Sequence, residues 1–152
     1  MSSTDRIEKH ITLKASRARV WRALTDSREF GAWFKVALSE PFVVGAAVRG
    51  HITYPGYEHL VFAVTIERMD HERLFALRWH PAAVDPAVDY ADEPTTLVEF
   101  TLADAPGGGT ELGIVESGFD ALPAARRAYA FRMNDGGWTI QCSNIEAHVA
   151  TP

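Results

Sequence analysis

The sequence predicts an α+β fold of six antiparallel strands and one long C-terminal helix, with two short helices after the first strand. Three patterns predict it. From about 42 to 118, apolar residues alternate with polar ones, the period of half-buried antiparallel strands. From 121 to 150 they return every third or fourth residue, the period of a helix with one buried face. Ahead of both lie one short alternating stretch and two short helical ones.

Residues 6–13 alternate, with Ile7, Ile11 and Leu13 on one face and Lys9 sharing it. Ser16 is a good N-cap for a short helix carrying Val20, Trp21 and Leu24. Asp26 opens a second helix, and Glu29 three residues on completes the pattern of a capping box. Phe30, Trp33 and Phe34 fall at i, i+3 and i+4 and form its apolar face. Residues 43–54 alternate weakly and end at Tyr54-Pro55-Gly56-Tyr57, whose Pro-Gly pair suits the centre of a type II turn. Residues 59–69 align Leu60, Phe62, Val64 and Ile66. After the short turn Asp70-His71-Glu72, residues 73–80 align Phe75, Leu77 and Trp79. Residues 96–102 align Val98, Phe100 and Leu102, and 110–118 align Leu112 and Ile114. Pro106 to Gly109 is a flexible hairpin loop between them.

Residues 80–95 hold Pro81, Pro86, Pro94 and four acidic side chains, the longest stretch without a pattern. Loops of that length inside compact domains are often functional, although a mobile surface loop is the plainer reading. In the tail, Ala124, Ala128, Phe131, Asp135, Trp138, Cys142, Ile145 and Val149 form one stripe of alternating fours and threes. A continuous helix from near Leu122 to near Val149 is expected. Gly136 and Gly137 oppose it, each costing about 1 kcal/mol relative to Ala, but the stripe keeps its phase across them.

At 152 residues the chain has the length of one domain, large enough for a core without staples. Its formal net charge of −5 disfavours nucleic acid and anionic membrane as partners. The arginines at 17, 19 and 22 and at 126, 127 and 132 read as solvated helix faces. Cys142 is the only cysteine, so no internal disulfide forms, in keeping with a reducing compartment. The polar N-terminus and the lack of a long apolar run lead to the expectation of a cytoplasmic protein.

Val20-Trp21-Arg22-Ala23-Leu24-Thr25-Asp26 followed by Trp33-Phe34, Glu116-Ser117-Gly118-Phe119, and Gly137-Trp138 followed by Ile145 together carry a resemblance. With the element order, they are similar to the helix-grip fold of the START-like (SRPBCC) superfamily. The nearer branch is the family similar to the C-terminal domain of the activator of the ninety-kilodalton heat-shock chaperone ATPase. The resemblance implies one domain over 5–150, with a curved sheet wrapped around the last helix. It brings no catalytic motif to numbered positions. The superfamily holds lipid carriers, hormone receptors, cyclases and chaperone activators, so the fold does not fix the function.

Strand parity puts Glu116 with Leu112 and Ile114, and the helix stripe puts Asp135 beside Phe131 and Trp138. Inward carboxylates can serve as acid and base, and these two are the only candidates for catalysis. The competing expectation is structural: the resemblance implies that the first and last strands lie side by side, so that Lys9 pairs with Glu116, and Asp135 marks a local bend facing water. Among His10, His51, His59, His71, His80 and His148, none has ligand spacing, so no metal site is expected. Tyr129 and Met133, opposite the stripe, are expected to pack under the short helices. The aromatic residues Trp33, Tyr54, Phe62, Trp79, Phe100, Phe131 and Trp138 are all expected to project inward, suited to lining an apolar pocket or to an ordinary core.

The reading is a non-catalytic binding module for a small hydrophobic or aromatic molecule, without cofactor, metal, nucleic acid or membrane, as a monomer or homodimer. One alternative is a chaperone-associated interaction module that acts on a chaperone or client protein. Another is an enzyme of cyclase or hydrolase type.

Overall fold

Alternation in the first strand, β1 (Arg6–Leu13), turns Ile7 and Leu13 into the core and leaves Lys9 and Ile11 half-buried on the same face. The structure is a computed structural model and describes residues 5–85 and 87–150; Pro86, the first four residues and the last two lie outside them. Helix α1 (Arg17–Thr25) starts at Ser16, whose hydroxyl accepts from the Arg19 N–H at 3.2 Å. Helix α2 (Ser27–Phe34) starts at Asp26, whose carboxylate accepts from the N–H groups of Arg28 and Glu29. The expected capping box closes on that side alone. The Asp26 N–H already donates to the Arg22 carbonyl at 3.0 Å. The Glu29 carboxylate turns instead to Arg19 and Arg22, at 2.7 and 2.6 Å, and ties α2 to α1.

The sheet has seven strands, one more than expected, because β2 (Val36–Ala37) is too short to show alternation. Beyond it come β3 (Ala47–Ile52), β4 (Val61–Asp70), β5 (Leu74–Trp79), β6 (Thr96–Asp104) and β7 (Thr110–Ser117). All pairs are antiparallel in the order β1-β7-β6-β5-β4-β3-β2, with a register shift between Ile66 and Arg68 of β4. A bulge of that kind bends and twists a strand, in keeping with the curvature of the sheet. Helix α2 meets β2 at Gly31, where any Cβ would lie 2.3 Å from the Val36 carbonyl oxygen.

The type II turn forms as expected. Gly56 has φ +91°, and the Tyr57 N–H donates to the Tyr54 carbonyl at 3.0 Å. Its consequence corrects the inward placement of Tyr54. The strand ends at Ile52, so the alternation does not reach Tyr54, which is 53% exposed and packs on Tyr57 at 5.6 Å.

Helix α3 (Ala124–Val149) runs unbroken through Gly136 and Gly137 across the inner face of the sheet. Trp138, Ile145 and Val149 are buried and Cys142 is half-buried. Its first turns depart from the expected stripe: Ala124 and Ala128 are exposed, and Ala130 is buried. That end faces a loop and a 3-10 turn instead of the sheet. Arg126 reaches the loop at 80–95, and Phe131 packs edge-on against Phe119 at 5.2 Å. Tyr129 and Met133 do not pack under the short helices; both are exposed. Among the described residues no helix is long and apolar enough to cross a membrane.

Candidate functional site

Strand β7 buries every second residue, and the series Thr110, Leu112, Ile114 ends in Glu116. An acidic side chain thus stands fully buried in an apolar layer. Burying a carboxylate is costly unless its lone pairs are met. Here four side chains meet them. The indole N–H of Trp138 donates to Oε1 and that of Trp79 to Oε2, both at 2.8 Å. The Thr96 hydroxyl donates to Oε2 at 2.5 Å. The Asn134 amide nitrogen donates to both oxygens, at 2.9 and 3.0 Å. Trp79 ends β5, Thr96 begins β6, and Asn134 and Trp138 stand one turn apart on α3. The carboxylate therefore binds three strands and the helix at one point.

The expected pairing of Lys9 with Glu116 does not occur. Ile7 is opposite Glu116 in the ladder, and Lys9 is opposite Ile114. The Lys9 ammonium reaches Asp135 instead, at 2.9 Å. Asp135 is not an inward residue either, since half of its side chain is exposed. The two carboxylates sit in different settings, one enclosed by neutral donors and one in a partly wetted ion pair.

Beside this cluster two cavities adjoin, sharing Phe34, Trp79 and Asn134 as walls. The smaller, about 110 Å³, is completed by Trp138, Gly137 and Gln141. The larger, about 240 Å³, extends along Leu60, Val61 and Phe62 of the sheet, under Ala82 to Val84 of the loop. Met133 and His80 also line it. Gly137 leaves room: a Cβ there would meet no atom within 4 Å. Gln141 is already engaged, donating to the Phe34 carbonyl at 3.1 Å and accepting from Asn144.

The loop that roofs the larger cavity is held by one side chain. Arg126 donates to the carbonyls of Pro81 and Ala82, at 2.8 and 3.1 Å. It also pairs with Glu93 at 2.6 Å and lies over the Tyr90 ring at 4.7 Å. Arg126, read from the sequence as part of a solvated face, is the anchor of this segment.

The seven aromatic residues separate into groups. Phe62, Trp79 and Trp138 line the cavities. Trp33 and Phe100 are core: the Trp33 indole donates to the Ala23 carbonyl at 2.8 Å, and Phe100 stacks on Phe75. Phe131 packs on Phe119 and Tyr54 is on the surface. Sequence reasoning missed Phe34, Asn134, Gly137 and His80 as cavity residues. Asn134 carried a usable signal, standing four residues before Trp138 on the same helix face. Burial pushes the Cys142 thiol above its ordinary range, which Glu146 reinforces and Lys9 opposes, so it does not present a thiolate. Among the described residues no three His, Cys, Asp or Glu side chains converge as a metal site would require.

The family model described as "Activator of Hsp90 ATPase homolog 1-like protein" matches residues 14–150. No curated protein matches the sequence significantly. A crystal structure of a protein from Mesorhizobium loti is similar with TM-score 0.73 at 23% identity, over 95% of this chain and 96% of that one. A solution structure of a protein from Arthrobacter aurescens gives TM-score 0.78 at 14% identity, over 100% of this chain and 91% of that one. DynU16, a protein in the dynemicin biosynthetic locus, gives TM-score 0.71 at 21% identity. There the match covers 97% of this chain and 48% of that one, so this chain spans about half of its length. At these identities the solved structures establish the shared helix-grip fold.

Proposed function

The chain belongs to the activator of Hsp90 ATPase homolog 1-like family, and from that premise we propose that it binds a small aromatic or hydrophobic molecule between its sheet and α3. One observation carries this reading. The adjoining cavities have aromatic walls from three separate elements, Phe34 of α2, Trp79 of β5 and Trp138 of α3. Pockets with apolar walls and a few placed polar groups are the usual form of small-molecule sites. An apolar cavity of about 150 Å³ accepts a benzene ring, so the larger one, about 240 Å³, suits one or two rings. The proposal covers a single domain over 5–150 that works in the cytoplasm without a cofactor, with Phe62, Trp79 and Trp138 as ligand contacts.

Tryptophan emission tests it, because Trp79 and Trp138 line the smaller cavity. Titration with one- and two-ring aromatic compounds should quench or shift the emission saturably and raise the melting temperature with ligand concentration. No saturable change with any such compound up to millimolar concentration would refute the reading.

A second reading, an interaction module for a chaperone or client, is favoured by the family description and by the exposed pair Tyr54 and Tyr57 at one end of the sheet. Tyrosine is enriched at protein interfaces. Loss of partner binding in Tyr54→Ser with Tyr57→Ser, with ligand binding intact, would separate the two readings. The cyclase or hydrolase alternative has less support: Glu116 is enclosed by its donors and Asp135 is paired with Lys9.

A further inference from the structure

We infer that the cavity selects ligands carrying a hydrogen-bond donor, such as a phenolic hydroxyl, and that the side-chain carbonyl of Asn134 is the group that selects them. The inference rests on the binding reading above and adds the chemistry of its ligand.

Glu116 fixes the orientation of Asn134. The Asn134 amide faces its two carboxylate oxygens at 2.9 and 3.0 Å. A carboxylate accepts, so the NH₂ end of Asn134 must point at it, whichever way an amide is drawn. The neighbours cannot reverse this arrangement. The indole N–H groups of Trp79 and Trp138 only donate, and both are committed to the same carboxylate. With its nitrogen fixed, Asn134 turns its Oδ1 the other way. Asn134 lines both cavities, and Oδ1 makes no hydrogen bond among the described residues. An acceptor is thus held open where the two cavities meet.

A second polar group has unused capacity in the same place. His80 lines the larger cavity, and its Nδ1 is buried without a partner among the described residues. Asn134 and His80 are the polar side chains of that cavity's wall, which is otherwise apolar. A purely hydrocarbon ligand would bury Oδ1 unmet as well, at a cost comparable to a lost hydrogen bond. A ring bearing a hydroxyl satisfies Oδ1 directly. Glu116 is in this account a positioning residue, since it acts through Asn134 and does not touch the ligand.

p-Cresol and p-xylene test the inference, because they differ by a hydroxyl in place of a methyl at nearly constant shape. Calorimetric or NMR titration of the whole chain gives both dissociation constants. In water the hydroxyl favours the free ligand, so an apolar pocket without an open acceptor would prefer p-xylene. The expected result is p-cresol binding about tenfold tighter, with a shift of the Asn134 side-chain NH₂ signals that p-xylene does not cause. Asn134→Leu should then reverse the preference, its folding being checked by thermal melting. If that variant does not fold, the two dissociation constants of the natural chain still decide. Both ligands binding with p-xylene equal or tighter would overturn the inference and leave the binding reading intact. Neither ligand binding would overturn the inference, and the wider emission titration above would then decide the binding reading.

Discussion

Removing the Glu116 carboxylate should destabilise the fold in a graded way that depends on what replaces it. Four donor side chains converge on it: Trp79, Thr96, Asn134 and Trp138. A buried donor left without a partner costs about 1–3 kcal/mol. Glu116→Leu fills the space but orphans the buried donors of Thr96 and Trp138 along with the half-buried ones of Trp79 and Asn134, so a loss of about 2–6 kcal/mol is expected from the two buried ones alone. Glu116→Gln is gentler. Its remaining oxygen can serve Trp138 and Asn134, and the Thr96 hydroxyl can rotate to accept from the new NH₂. Trp79 then has its N–H facing another donor, a single orphan worth about 1–3 kcal/mol. Urea melts at neutral pH measure both, read as midpoint shifts at a common slope. If Glu116→Leu falls within about 1 kcal/mol of the natural chain, the carboxylate does not hold the sheet and helix together. Equal losses for the two variants would also refute the accounting by donors.

Other perturbations have distinct signatures. Trp138→Ala should cost about 3–5 kcal/mol, the usual loss for a large buried ring, read in the same melts. Lys9→Met should cost less than about 1 kcal/mol, because its partner Asp135 is half-exposed and such pairs are weak. Gly136→Ala should stabilise by up to about 1 kcal/mol, since the site is helical and a Cβ there meets nothing within 4 Å. Burial pushes the Glu29 carboxyl up, but hydrogen bonds from His148 and Arg19 and the charges of Arg19 and Arg22 outweigh this and hold it below its ordinary 4.5. A carboxyl depressed in the folded state stabilises above its unfolded value, and the gain is lost as pH falls through the folded one. Glu29→Gln should therefore differ most from the natural chain above about pH 5 and converge with it in acid. Arg126→Ala should free the loop at 80–95, seen as faster limited proteolysis there, because it removes the contacts to Pro81, Ala82, Tyr90 and Glu93 together.

Much of the fold was legible because its signals are periodic. Alternation placed the long strands and put Glu116 inward, and the stripe carried α3 through two glycines that propensity alone would have read as a break. The misses have a common cause in contacts between elements. Parity says which face Lys9 and Glu116 occupy, but the register that sets Ile7 opposite Glu116 depends on how β1 slides against β7. The inward count of aromatic rings could not tell core from cavity, since Phe100 and Trp79 have the same strand phase and differ in what α3 and the loop place over them. Asn134 was missed because the apolar stripe passes through its neighbour Asp135, and spacing does not say which of two adjacent polar residues meets Glu116. Tyr54 was misplaced by extending a strand pattern into the turn that ends it.

Native mass spectrometry of the protein isolated from its own host tests the central claim most directly, with a variant whose cavity has been filled. Gly137 borders the smaller cavity beside Trp79 and Asn134, walls that the larger one shares, and has open space above it, so Gly137→Leu should crowd this junction without disturbing the helix. The account predicts a small-molecule adduct on the natural chain that is lost or strongly reduced on the variant, with both proteins folded by thermal melting. Adducts of equal intensity on the two, or a natural chain that comes through bare, would contradict it.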